Sequence, residues 1–222
     1  MSLDLLKDLN GIGRGVDKLW VYKDLLHREL AHDYLQKINF SIQDINYLIG
    51  DSGRIERRTD VVSLIVMVDW IASSVWQYKN CLSEELLDDF RFSHQDDLEK
   101  CRAFLRALRS IVVAHPLNTD QHKDLGLDGD FVCIDLRVSQ PVLFASRNSV
   151  QRFGINGIEP YDNEHNDDVY LYVYSKKANA QYFEFLIVDL ADVVRVARVY
   201  IDKLYEIDKY LSKIRKKDYA AK

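Results

Sequence analysis

The chain has 222 residues, of which 47% are hydrophobic and 29% are charged, and its formal net charge is −5. A domain of this length buries roughly 70% of the surface that its unfolded chain exposes, so a core forms without metal or disulfide support. The negative charge excludes non-specific coating of nucleic acid, which needs many cations on phosphates. Any RNA contact must therefore come from a local basic patch.

Three cysteines, an odd number without CxxC spacing, predict neither a disulfide framework nor a metal site, and a reducing cytoplasm is the expected compartment. No cationic segment followed by an apolar stretch opens the sequence, so a secretory signal is not expected. The apolar stretch from Val61 to Val75 is interrupted by polar residues and falls short of the roughly 20 residues of a membrane span. It predicts a central buried helix and no membrane contact.

Apolar residues at three- and four-residue spacings predict four helices. Thr59, Ser93 and Asp189 are expected N-caps, and the third helix must end near Ala114 because the residue before Pro116 is disfavoured in the helical region. A capping box at Ser41 either restarts or continues the first helix. The four helices are expected at 17–48, 59–80, 93–114 and 189–217.

Between residues 130 and 188 the hydrophobic period changes to about two, which is typical of strands. Three antiparallel strands are expected at 131–138, 169–174 and 182–188, with the polar stretch 139–168 as a long surface loop. The predicted fold class is mainly α (α+β). It is an up-and-down four-helix bundle with a small antiparallel three-stranded β segment inserted before the last helix. We expect a single domain over 1–222, with the bundle at 17–115 and 189–217 and the β-rich insertion at 130–188.

Three arginines of the third helix form the most informative pattern for function. At 100° per residue, Arg102, Arg106 and Arg109 lie within about 60° on one face, opposite an apolar stripe. Three guanidinium groups on one ridge can hold a phosphate. His115 follows at the helix end that Pro116 imposes, where histidine commonly bonds the last carbonyl groups and has only a structural role. The alternative is that His115 exchanges protons with a substrate.

Arg109, followed by the polar Ser110 and then by His115 near a helix end, resembles the motif of the HEPN superfamily. The resemblance covers the helical residues 17–115 and 189–217. It implies a metal-independent endoribonuclease or an RNA-binding relative without cofactor, in which two protomers face each other and their paired motifs form one RNA-cleaving cleft. Bacterial members often belong to toxin–antitoxin or phage-defence systems. The three-stranded insertion is a departure from the minimal family bundle.

The resemblance also implies roles for individual residues. Arg109 would stabilise the charge that develops on the phosphate, and His115 would act as general acid or base. The expected substrate-binding residues are Arg102 and Arg106 of the basic ridge, together with Ser110, Asn118 and Thr119 in and after the motif.

Two further readings follow from the residues themselves. A carboxylate inside an apolar helix is costly unless paired, so Asp69 is expected to be buried against an arginine of a neighbouring helix. In place of RNA chemistry, the chain is alternatively a non-catalytic helical protein–protein interaction module whose tyrosine-rich strands present an edge or a face to a partner. A metal held by Asp120 and His122 is the less favoured use of the segment after His115.

Overall fold

The computed structural model of the chain describes residues 3–9, 28–50, 55–114, 131–135, 150–160, 168–174 and 183–220. Within these ranges the protein is mainly helical and carries one small sheet, in agreement with the predicted class. The helices are α1 Arg28–Ile49, α2 Arg58–Lys79, α3 Glu84–Asp89, α4 Gln95–Arg109 and α5 Leu190–Ala220, with a π-helical turn Ser110–Ala114 directly after α4. The strands are β1 Phe131–Asp135, β2 Val150–Gly154, β3 Gly157–Pro160, β4 Asp168–Tyr174 and β5 Phe183–Asp189.

Helix α2 lies at the centre of the helical part, because it contacts α1, α4 and α5. Its buried residues are Val61, Leu64, Ile65, Met67, Val68, Ile71, Ala72, Ser74, Val75 and Tyr78. Among the described helices, α2 alone has the length and apolar composition that a membrane span requires. Its packing against three other helices is that of a core helix, as the sequence predicts.

The sheet contains the three predicted strands and two more. Strands β1, β4 and β5 lie side by side and pair antiparallel, close to the predicted bounds. Strand β2 extends the sheet by pairing parallel with β5, and β3 pairs antiparallel with β2. The stretch 139–168 is therefore not only a surface loop, since β2 and β3 form a hairpin within it. Gly157 has φ +108° directly after the turn of this hairpin, a conformation that glycine adopts without strain.

The sheet shares its core with the helices. Phe153 of β2 packs edge-on against Phe104 of α4, with 5.0 Å between ring centroids. Leu171 of β4 and Leu186 of β5 are fully buried in the cluster that also holds the buried face of α2. One continuous core is what a single domain needs, although the domain prediction itself stays a prediction.

Three predicted helix starts differ from the structure and one agrees with it. Thr59 does not cap α2, because that helix begins at Arg58 and its N-cap is Arg57. Asp189 caps α5, since its Oδ1 accepts the backbone N–H of Ala191 at 2.7 Å. Ser93 does not cap α4, because the N-cap is His94 in the left-handed region at φ 47°. Ser41 lies inside the continuous helix α1 and donates its hydroxyl to the Lys37 carbonyl, so it starts no new helix.

Ser93 is instead held by α5. The Lys203 ammonium donates to the Ser93 carbonyl at 2.5 Å and to Glu206 Oε1 at 2.8 Å, and the Ser93 N–H donates to Glu206 Oε2 at 2.9 Å. Lys203 is only 5% exposed, so its charge depends on these partners. Burial raises the pKa of Glu206, but the bonds from Lys203 and Ser93 lower it more, and the pKa lies below its ordinary value. This network fixes the start of α4 against α5.

Removing the Lys203 ammonium should destabilise the protein strongly. Lys203→Ala removes the ammonium donor of the Ser93 carbonyl and one of the donors of Glu206, and we expect the free energy of unfolding to fall by about 2–3 kcal/mol at neutral pH. Lys209→Ala, an exposed lysine on the same helix, is the control and should change it by less than about 0.5 kcal/mol. Urea denaturation measures both variants. Equal losses would contradict the assigned role of Lys203.

The same network predicts a pH dependence. An acid whose pKa is lowered by folding stabilises the protein above its unfolded pKa, and the stabilisation is lost as pH falls through the lowered pKa. Wild type should therefore be more stable than Glu206→Gln at neutral pH, and the difference should close in acid. Urea denaturation across the acid range measures this closure, and a difference that persists unchanged at low pH would contradict it.

Candidate functional site

The arginine ridge predicted on the third helix is present on α4. The opposite face of α4 is buried and consists of Leu98, Cys101, Phe104, Leu105 and Leu108. Because this apolar stripe faces the core, Arg102, Arg106 and Arg109 lie on the exposed side of the helix. The structure therefore brings together three of the predicted site residues. Ser110, a fourth, is half-buried and begins the π-helical turn.

Arg109 forms an ion pair with Asp69 of α2. Arg109 Nε lies 3.2 Å from Asp69 Oδ2, so the predicted partner of Asp69, an arginine of a neighbouring helix, is Arg109 itself. The predicted full burial of Asp69 is corrected to partial burial, since its side chain is 21% exposed and that of Arg109 is 53% exposed. The contact runs through Nε, which leaves terminal guanidinium donors of an exposed side chain for an anion.

The pair is only partly compensated electrostatically. Burial raises the pKa of Asp69, and the positive charge of Arg109 lowers it by less, so that the pKa lies above its ordinary value. An exposed guanidinium gains little from such a pair because water screens its charge. Asp69 therefore orients Arg109 without binding it strongly.

A second cluster of cations lies on the same side of the helices, around Trp76 of α2. The Arg102 guanidinium carbon lies 5.1 Å from the centroid of the Trp76 ring, and the Lys79 ammonium lies 5.2 Å from it. Phe92 packs against Trp76 with 6.3 Å between centroids. Burial lowers the pKa of Lys79, and the nearby charge of Arg91 lowers it further. Positive charge is thus concentrated here although the chain as a whole is acidic.

Tyr200 of α5 lies beneath this surface. It is 4% exposed, and burial raises its pKa to about 12, with Arg102 acting in the opposite direction and Cys101 and Asp69 adding to the increase. The hydroxyl is therefore within electrostatic range of charged residues from both α2 and α4. At neutral pH it stays protonated and is a neutral hydrogen-bonding group.

The π-helical turn begins immediately after Arg109. A π-helix bonds residue i to i+5 and so places more residues in each turn than an α-helix, and such turns are frequent at functional sites. The angular relation between Arg109 and the residues that follow cannot be counted at 100° per residue. His115, Asn118 and Thr119 lie outside the described residues, as do Asp120 and His122.

In the part of the chain that the structure describes, no three His, Cys, Asp or Glu side chains come together as a metal site would require. No protein-family model, curated protein or solved structure matches the chain. The function of this surface has to be inferred from its own geometry.

Sequence reasoning missed Trp76 and Lys79 as members of the site. They are three residues apart on α2, a spacing that places two side chains on one helix face. What the sequence could not show is that this face meets Arg102 of α4. Asp69 lies seven residues before Trp76 on α2, and its partner Arg109 lies seven residues after Arg102 on α4. An arginine of α4 therefore contacts a side chain of α2 at both places.

The coupling between Asp69 and Arg109 should be small. In a double-mutant cycle with Asp69→Asn and Arg109→Gln, we expect an interaction energy below about 1 kcal/mol at neutral pH, because the guanidinium is half exposed. An acid with a raised folded pKa makes stability fall as pH rises through that pKa, and Asp69→Asn should remove this decrease. Urea denaturation of the four proteins measures both effects. A coupling of 3 kcal/mol or more, the order found for buried pairs, would contradict this description.

Proposed function

We propose that the chain is a HEPN-like, metal-independent endoribonuclease or RNA-binding protein that acts as a homodimer. The observation that carries the proposal is the exposed arginine ridge of α4. Its last member, Arg109, is the first residue of the motif and is oriented by Asp69 of α2. The concentration of cations on one surface of an acidic chain adds support, because it supplies the local basic patch that RNA binding needs.

In this proposal the reaction is a transesterification within the RNA. The 2′-oxygen forms a bond to phosphorus and the bond from phosphorus to the 5′-oxygen breaks, leaving a 2′,3′-cyclic phosphate and a 5′-hydroxyl. His115 moves the protons, as base toward the 2′-hydroxyl or as acid toward the leaving oxygen, and paired motifs of two protomers provide one histidine for each task. Arg109 stabilises the charge on the phosphorane. Arg102, Arg106, Ser110, Asn118 and Thr119 bind the substrate.

The proposal includes the finer architecture and the compartment. The lengths of α1, α2, α4 and α5 support an up-and-down four-helix bundle, with the sheet in the crossover before the last helix. A cytoplasmic location is supported by Cys81 and Cys101, which are buried free thiols whose pKa values burial raises, so that neither is reactive.

The second candidate function is a helical protein–protein interaction module. It is favoured by exposed large apolar side chains on α1 and α2, namely Leu30, Phe40, Tyr47 and Trp70. The tyrosine-rich strand β4 belongs to the same hypothesis only through a face of the sheet, because it lies between β1 and β5 and not at an edge. The two functions differ in their need for RNA chemistry, so a cleavage assay separates them.

RNA cleavage should proceed without metal and depend on the motif. Purified protein incubated with single-stranded RNA in EDTA should yield products ending in 2′,3′-cyclic phosphate. His115→Ala should reduce the rate by at least about 100-fold with an unchanged circular-dichroism spectrum, because it removes the proton carrier. Arg109→Lys should be similarly impaired, since an ammonium lacks the planar two-donor grip on phosphate. Cleavage that persists in His115→Ala, or that stops in EDTA, would favour the interaction module.

The protein should also be a dimer in solution. A composite cleft requires Arg109 and His115 of both protomers to converge about a two-fold axis, and such an interface uses the same patch on each chain. Multi-angle light scattering at micromolar concentration should give twice the mass of 25.9 kDa. A monomer under these conditions would count against the nuclease and leave the interaction module in place.

A further inference from the structure

The surface between α2 and α4 forms a basic-aromatic strip, which we define as Lys79, Trp76, Arg102, Arg106 and Arg109. The strip has an aromatic end, where Arg102 and Lys79 flank the Trp76 ring at 5.1 and 5.2 Å. It has a purely cationic end at Arg106 and Arg109, next to the π-helical turn. Arg109 is the member of the strip for which the described residues show an ion pair, and its partner is Asp69.

The aromatic end has the geometry of a stacking platform. A guanidinium is planar and stacks on aromatic rings, and the Arg102 side chain is exposed above a half-buried indole. Unpaired RNA bases stack on aromatic side chains and on arginine planes, whereas bases inside a duplex are not accessible to such stacking. The platform therefore fits an unpaired base.

The cationic end has the spacing of a phosphate track. Arg102 and Arg109 are seven residues apart, which corresponds to about 10 Å along the helix axis. At about 3.4 Å per stacked nucleotide this distance accommodates roughly three nucleotides. Sequence-tolerant binding of single strands combines these two features, a basic track for the backbone and aromatic stacking for the bases.

We propose that single-stranded RNA binds along this strip, with one unpaired base stacked on the Arg102–Trp76 pair and the following phosphates on Arg106 and Arg109. The inference rests on the proposed function, since it names the form of RNA and its path into the same site. The strand runs from the Trp76 end toward Arg109, the last α-helical residue before the proposed catalytic turn.

Helix α2 contains a matched control for the platform. Trp70 also carries a cation on its ring, since the Lys37 ammonium of α1 lies 4.2 Å from the ring centroid. Trp70 is 43% exposed, and the cation on its ring comes from α1 and not from the arginines of α4. Substitution of Trp70 should therefore leave the binding of RNA along the strip unchanged.

The test measures binding separately from cleavage. Full-length protein carrying His115→Ala, which prevents turnover, is titrated into a fluorescein-labelled eight-nucleotide single-stranded RNA, followed by fluorescence anisotropy. Adding Trp76→Leu should weaken binding by about tenfold, the effect of losing one stacked base, while adding Trp70→Leu should change it by less than twofold. Arg106→Gln should reduce the slope of log affinity against log salt by about 0.7, the value for one phosphate contact on a single strand.

Arg102→Lys separates stacking from charge. The lysine keeps the positive charge and lacks the plane, so affinity should fall several-fold while the salt slope stays the same. Arg102 is exposed, so this variant reports on binding even where Trp76→Leu disturbs the packing against Phe92. Trp76→Phe, which keeps a ring, should retain most of the affinity.

The outcomes test RNA binding at the strip separately from nuclease activity. Any one of three results would overturn the proposed binding of single-stranded RNA along the strip. These are equal effects of Trp76→Leu and Trp70→Leu, full affinity in Arg102→Lys, and equal affinity for an RNA duplex. A polyglutamate peptide that binds as tightly as the RNA would also overturn it, since the surface would then recognise acidic protein. Absence of cleavage in the wild-type chain, with the variant pattern above intact, would remove the nuclease and leave the RNA-binding strip.

Discussion

Burial of the apolar face of α2 is the constraint on which the rest of the helical structure depends. The helix contacts α1, α4 and α5, and ten of its residues are buried by this packing. Asp69 and Trp76 lie in the seam with α4, and each meets an arginine there. Because the core fixes the orientation of α2, it also fixes where the arginines of α4 can contact side chains of α2.

Helix α4 is held at both ends by polar contacts of different character. At its start, the nearly inaccessible Lys203 of α5 binds Ser93 and Glu206, and these two bonds compensate its buried charge. At its end, Arg109 meets Asp69 in a half-exposed ion pair. The first contact serves stability and the second serves orientation. The exposed ridge between them is therefore presented on a rigid helix, which suits a surface that has to match the spacing of phosphates.

Four of the five described α-helices and three of the strands could be predicted because their patterns are local, whereas the six-residue α3 was not predicted. Apolar spacing predicted α1, α2, α4 and α5, and the alternating segments predicted β1, β4 and β5. Strands β2 and β3 were missed, since they are short and contain Gly154 and Gly157. Their pairing is tertiary as well, because β2 joins the sheet through the distant β5 and β3 joins it through β2. The N-cap expected at Ser93 was wrong for a related reason. Its hydroxyl bonds Glu206, which is 113 residues away in sequence.

The candidate site divides in the same way between local and tertiary information. The arginine ridge follows from helical spacing, and the need of Asp69 for a cationic partner follows from the cost of an unpaired charge. Which arginine meets it, and that Arg102 lies over Trp76, depend on the packing of α2 against α4.

The identity of Arg109 as the partner of Asp69 bears on the proposed chemistry. An arginine that must accept a phosphate has to exchange one anion for another, and a strongly bound carboxylate would oppose the exchange. The Arg109 side chain is 53% exposed, so water screens its attraction to Asp69 and the pair opposes this exchange only weakly. In the proposed function, Asp69 thus orients Arg109 before RNA binds and competes only weakly with the RNA for it.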